Sequence, residues 1–334
     1  MPLGVSDPGG FAGCVTPTES RGMSTHRSRS LLIVTLFLGL GLVVAPFAFQ
    51  MFERAPLGGD MIADFEPYMS QEKIDNFRGY MDLIDRAVTE SADLRTAVID
   101  SGSLTAEQYD TQFLFANKLS DEWASINTDM TDLLDRMEQN MDNYAAVAAL
   151  PPFALFPWFF VLPGLMVAGL SGVLLWLGRT GPPPRAGLWA LAGLGLALIA
   201  APAVFQMFTR APKGGEMIES FRPMMTHERV QNVQGYFVTL GGGEGQLRVG
   251  AIPAHEASGG QATDFPGIVE FSAQWPTIVG EFNPMIATMS DNVDNFAAVD
   301  AMPSFPLFPW FFVIPGLLVG GCALVALRRS PSPN

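Results

Sequence analysis

The chain of 334 residues contains two cysteines, three histidines and three lysines. Cys14 lies near the N-terminus and Cys322 inside a long apolar run, so no disulfide framework is expected. Any water-exposed part must then be held by packing. His26, His227 and His255 stand at no metal-ligand spacing, and no metal or cofactor is expected. Gly241-Gly-Gly-Glu-Gly is not followed by Lys-Ser/Thr and is no phosphate loop, and a serine nucleophile elbow is missing too. These absences argue against an enzyme.

Charge is also scarce, at 16% of residues, and it is segregated. Leu31–Phe49, Trp158–Leu177, Leu188–Phe205 and Trp310–Leu327 carry no Asp, Glu, Lys, Arg or His. Each approaches the roughly 20 residues that a membrane-spanning helix needs. Arg21, Arg27, Arg29, Arg179, Arg185, Arg328 and Arg329 flank these runs, all on one side. The positive-inside rule makes that side cytoplasmic. The first run is too long for a signal peptide, and its exit has no small-residue cleavage pattern, so it reads as an uncleaved anchor. Residues 1–30 are expected to be a disordered cytoplasmic N-terminus, with Met23 an alternative start.

The two long segments between the runs are acidic. Residues 50–157 hold 20 acidic and 7 basic side chains, and residues 206–309 hold 11 and 5. An acidic exterior excludes nucleic acid as a partner and suits a solvated face or attraction of cations. Three lysines against sixteen arginines suggest a GC-rich, bacterial genome.

An internal duplication organises the chain. Phe49-Gln-Met-Phe-Glu-Arg-Ala-Pro matches Phe205-Gln-Met-Phe-Thr-Arg-Ala-Pro at an offset of 156. Trp123 matches Trp275 and Asp142-Asn143 matches Asp294-Asn295 at an offset of 152. The fold class expected is an all-α integral membrane protein with four transmembrane helices in two tandem repeats, each span–extracytoplasmic helical hairpin–span. Repeat 1 covers 31–179 (spans 31–49 and 158–177, outer segment 50–157). A Pro-rich link covers 180–187, repeat 2 covers 188–327 (spans 188–205 and 310–327, outer segment 206–309), and a tail covers 328–334. An even number of spans per repeat gives both copies one orientation.

Within the first outer segment, Ala55-Pro-Leu-Gly-Gly reads as a loop and Ser70 as a helix N-cap. Ile74, Phe77, Met81, Ile84 and Val88 then recur three and four apart, the period of a helical seam. Thr105-Ala-Glu-Gln108 is a capping-box pattern. The helix after it carries Ala116, Leu119, Trp123, Ile126, Met130, Leu133 and Met137, and unbroken to Ala149 it would rise roughly 60 Å. The second outer segment keeps Val230, Val233, Phe237 and Leu240. Gly241–Gly245 is then expected to end the helix, with a short strand over 246–252, an irregular stretch to 267, and an interruption at Trp275-Pro276. Both tryptophans are expected to be buried. Gly39, Gly164, Gly195 and Gly316-x-x-x-Gly320 predict close packing of spans.

Few side chains suggest a site. Arg54 and Arg210 sit just beyond spans in Arg-Ala-Pro-x-Gly-Gly-Asp/Glu, suited to headgroup contact or to pairing with Asp60 and Glu216. Arg248 is the remaining basic candidate for an anionic ligand or lipid headgroup, as the one Lys or Arg of 241–266. Trp158, Phe159, Trp310 and Phe311 form an aromatic belt of the kind found at a membrane interface. Met51/Met207, Met61/Met217 and Met69/Met225 are paired between repeats, and Met137/Met141 and Met285/Met289 share helix faces. Thioethers suit Cu(I), but core filling is the simpler reading of each pair.

The expectation is a non-enzymatic, multi-pass plasma-membrane protein with both termini cytoplasmic. Its acidic extracytoplasmic bundle would be a scaffold or ligand-sensing module for another membrane or envelope protein, with membrane lipid as a further partner. A homo-oligomer is compatible with these features. The alternative is a carrier or transport accessory for a lipid or other apolar molecule.

Overall fold

The computed structural model describes residues 18–179 and 182–329, with residues 18–27 given by backbone alone. Among the described residues every regular element is helical. In the first half these are α1 (Thr18–Ala48), α2 (Met51–Phe65), α3 (Gln71–Asp100), α4 (Ala106–Gln112), α5 (Leu114–Gln139), α6 (Met141–Ala148) and α7 (Phe156–Leu177). In the second they are α8 (Arg185–Val204), α9 (Met207–Phe221), α10 (His227–Gln246), α11 (Ile252–Ala257), α12 (Pro266–Asp291), α13 (Val293–Asp300) and α14 (Trp310–Arg329). α1 starts well before Leu31, so residues 18–30 are helical where disorder was expected. Residues 1–17 lie outside the described residues.

The chain divides into two compact units. Of the described residues, one holds those up to Pro46, those in Trp158–Pro202, and those from Trp310 on. It contains the four helices that are long and apolar enough to cross a membrane. Small residues let their backbones approach. A Cβ on Gly39 would fall 2.5 Å from the Ala168 nitrogen, and one on Gly195 would fall 2.6 Å from the Gly320 nitrogen. Thr35 and Ser171, both buried, share a hydrogen bond of 2.8 Å between α1 and α7. The Phe160 and Phe312 rings join α7 to α14, 4.4 Å apart.

The other unit, Phe47–Pro157 and Ala203–Pro309, is the polar bundle. Its frame is α3, α5, α10 and α12; α3 and α10 each pack against both α5 and α12. The two seams bury the residues their spacing selects, from Ile74 to Val88 on α3 and from Ala116 to Met137 on α5. Burying each large apolar side chain contributes about 1.5–3 kcal/mol. Ser70 caps α3 by accepting from the Lys73 amide at 3.3 Å. Thr105 and Gln108 close a reciprocal capping box on α4.

Several expectations fail, each for a tertiary reason. Ala55–Gly59 is helix, not loop: Pro56 lies inside α2. Glycine suits position 58, where a Cβ would come within 3.2 Å of a Val299 methyl, a tight contact. The helix after the capping box, which could have run to Ala149, is interrupted at Phe113 and again at Asn140, giving α4, α5 and α6. The Gly241–Gly245 run lies inside α10 and continues through a π-turn, Leu247–Ala251, into α11. No strand forms at 246–252. A Cβ on Gly242 would meet Phe115 at 2.5 Å, and one on Gly243 would meet Leu119 at 2.6 Å. The helix cost of about 1 kcal/mol per glycine is therefore offset by a close approach of α10 to α5 that no larger residue permits. Trp275-Pro276 leaves α12 unbroken, and Trp275 is only half-buried, lying over Gly241.

Gln50 separates α1 from α2 in the left-handed region, φ 54°, and Gln206 does the same between α8 and α9, φ 53°. That conformation costs an L-residue about 1–2 kcal/mol, which glycine avoids. Gln50→Gly is therefore expected to stabilise the protein by about 0.5–1 kcal/mol in denaturant unfolding, the glycine's extra unfolded-state entropy offsetting the rest. A loss of stability would mean that the Gln50 side chain makes a contact outweighing its strain.

Candidate functional site

The polar bundle is laced together by contacts that cross between the halves and occur twice, at positions matched in the sequence. At one end, Glu90 of α3 accepts from the Ile268 amide at the start of α12, 3.0 Å. Gln246 of α10 accepts from the Phe115 and Ala116 amides at the start of α5, 2.7 and 3.0 Å. One N-terminal donor of α12 and two of α5 are thus satisfied by the other half. In the middle, Lys73 pairs with Glu281, and Arg229 pairs with Asp129 at 2.5 Å. The Arg229 hydrogen bond, with a further one from Tyr236, holds the Asp129 carboxyl below its usual range despite partial burial.

At the other end two buried asparagines end the long helices. Asn140 donates to Ser220 Oγ on α9 at 2.8 Å, and Asn292 donates to Asp64 Oδ2 on α2 at 3.0 Å. The chain then turns so that α6 packs on α9 and α13 on α2. Arg54 donates to the Ala301 carbonyl beyond α13, 3.0 Å, and Arg210 donates to the Ala149 carbonyl beyond α6, 2.6 Å. A cation at a helix C-terminus satisfies an orphan carbonyl and complements the dipole. Their acceptors are these carbonyls and not Asp60 or Glu216, the carboxylates suggested by sequence proximity. Arg248 lies in the π-turn and donates to the buried Glu244 at 2.7 Å. All three candidate arginines are thus engaged by acceptors of the chain itself.

Between these crossings lies an apolar cavity of about 60 Å³. Met61 and Phe65 of α2 line it with their counterparts Met217 and Phe221 of α9. Met137 of α5 lines it with its counterpart Met289 of α12. Ile62/Ile218, Met69/Met225, Leu133/Met285 and Tyr144/Phe296 complete seven matched pairs, and Met224 is the one lining residue outside them. The Tyr144 hydroxyl donates to the Ile62 carbonyl at 2.6 Å, and burial holds its pKa above the ordinary value, so it stays neutral. The first half contributes seven lining residues and the second eight. A ligand there would touch both halves at once.

The aromatic belt residues belong to the apolar unit. Trp158 and Trp310 are about half exposed, 46% and 48%, at the starts of α7 and α14, with Phe159 and Phe311 beside them partly covered. Among the described residues no group of three or more His, Cys, Asp or Glu is placed to hold a metal. The cavity is what the sequence did not show. Its signal was present in the methionines paired at fixed offsets, but not all pairs join it: Met51 and Met207 are buried elsewhere. No family model, curated protein or solved structure matches the chain.

Proposed function

We propose that the chain is a multi-pass plasma-membrane protein of two tandem repeats, with both termini cytoplasmic and the acidic bundle outside. Its role is non-enzymatic. The bundle is a ligand-sensing scaffold that serves another membrane or envelope protein. The observation that carries this reading is the cavity lined by matched residues of both halves. A ligand bound between two packed halves is coupled to how they pack, and that coupling is what a sensor passes to its partner. The seven arginines on one side of the spans support the orientation. The lipid-carrier reading is weaker: the cavity of about 60 Å³ is smaller than the about 150 Å³ that admits a benzene ring.

The test uses the purified full chain, heated with and without the low-molecular-mass fraction of its native envelope. The wild type is expected to melt higher with the fraction. Leu133→Phe, which puts a ring into the cavity wall, should lose that shift while keeping its helical content. An equal shift in both proteins would remove the ligand from the cavity, and no shift in either would leave a scaffold without a sensor. A cysteine at Ser103 should label from outside intact cells; failure to label would reverse the orientation.

A further inference from the structure

Eight of the seventeen methionines line this one cavity. They come from both halves, and three of the matched pairs are methionine in both. The wall has no carboxylate, imidazole, thiol, amine or guanidinium. Its other members include three phenylalanines, Phe65, Phe221 and Phe296. Methionine alone is a common filler of irregular cores. A concentration of thioethers around one partly open apolar space, whose single hydroxyl, that of Tyr144, is engaged by the Ile62 carbonyl, is a different matter.

We infer that the cavity binds a soft monovalent cation of the Cu(I) class, held by the thioethers of Met61, Met217, Met137 and Met289. This rests on the sensing site proposed above and names its ligand. Size comes first. About 60 Å³ exceeds the ~10–15 Å³ that one water needs but falls short of an organic ring. Donor chemistry comes next. Thioether sulfur selects Cu(I), whereas Ca²⁺ and Mg²⁺ need oxygen, and Zn²⁺ takes thiolate, imidazole or carboxylate. Charge is the third constraint. An apolar wall cannot neutralise a divalent ion, and desolvating one there is prohibitive. A single charge is offset by coordination and by aromatic faces, which attract cations. Outside the cytoplasm cysteines tend to oxidise to disulfides, while thioethers cannot pair in that way. The acidic surface of the bundle raises the local concentration of cations.

The experiment uses the full chain in detergent with Ag⁺ as a redox-inert probe, then with Cu⁺ kept reduced by ascorbate and competed against a chromophoric chelator. One ion per chain is expected. Met137→Leu with Met289→Leu removes two of the four donors and should abolish stoichiometric binding, as should Met61→Leu with Met217→Leu. Leucine keeps the volume and removes the donor, so the fold should persist, and circular dichroism checks that. Met51→Leu with Met207→Leu, outside the cavity, should change nothing. Absence of stoichiometric binding, or equal binding by the cavity variants, overturns the inference. If Ag⁺ fails to bind while the envelope fraction still stabilises the wild type but not Leu133→Phe, the soft-cation assignment falls and the sensing site stands. If both fail, both fall.

Discussion

Trp123→Ala is expected to destabilise the polar bundle by about 3–5 kcal/mol, the range for truncating a buried aromatic ring. Trp123 is 5% exposed within the α5 seam, and its indole N–H donates to Asp85 at 2.7 Å. Its counterpart is the informative control. Trp275 is half-buried and lies over Gly241, the position matched to Asp85, so its hydrogen-bond partner is gone and its ring rests on backbone. Trp275→Ala should therefore cost about half as much, because less apolar area leaves water. Trp123→Phe should cost far less than Trp123→Ala, since the ring volume stays and a single hydrogen bond of about 1 kcal/mol is lost. Denaturant unfolding followed by circular dichroism measures all three. Equal losses for the two alanine variants would show that the two seams are packed alike.

The second large effect is expected in the apolar unit. Gly195→Val places a Cβ 2.6 Å from the Gly320 nitrogen and 2.8 Å from the Gly316 carbonyl oxygen. Those atoms are backbone and cannot rotate away, so α8 and α14 must separate, at a cost of about 3 kcal/mol or more. Gly193→Val is the control, with nothing within 4 Å of its added Cβ. A cysteine pair bridging α8 and α14 should cross-link efficiently in the wild type and in Gly193→Val, and poorly in Gly195→Val. Unchanged cross-linking in Gly195→Val would mean that the helix pair does not pack through these glycines.

Local periodicity made much of this legible in advance. Ile74, Phe77 and Ile84 on α3, and Leu119, Ile126 and Met130 on α5, are buried because a spacing of three and four puts them on one helix face. The Ser70 cap and the Thr105 box are local chemistry, and both form. What failed was the reading of glycine and proline. Gly58 and Gly241–Gly243 carry a penalty in an isolated helix, and the offsetting contact comes from Val299, Phe115, Leu119 and Trp275, residues distant in the chain. Propensity cannot register a neighbour that is not local. The cavity was hidden for the same reason. Pairing Met61 with Met217 needs only an offset, whereas bringing Met137 and Met289 to the same place needs the crossing of α6 onto α9 and α13 onto α2.

That crossing has a consequence for the order in which the bundle is assembled. Phe153 of the same half covers Gly59, but α2 also packs on α13, so a segment near Met51 waits for one near Val293 before the Val299 side of Gly58 is covered. At synthesis rates of about 5–20 residues per second, the wait is roughly 12–50 s. α3 and α5 share a seam and can form a hairpin in that interval. The faces of α2 and α6 that meet α13 and α9 stay uncovered until the second half emerges. A nascent chain paused between the halves therefore displays two unfilled grooves, each shaped for a segment of its own sequence. The nearest substitute is the same segment from a neighbouring copy, and domain exchange between chains is the characteristic misassembly of this architecture.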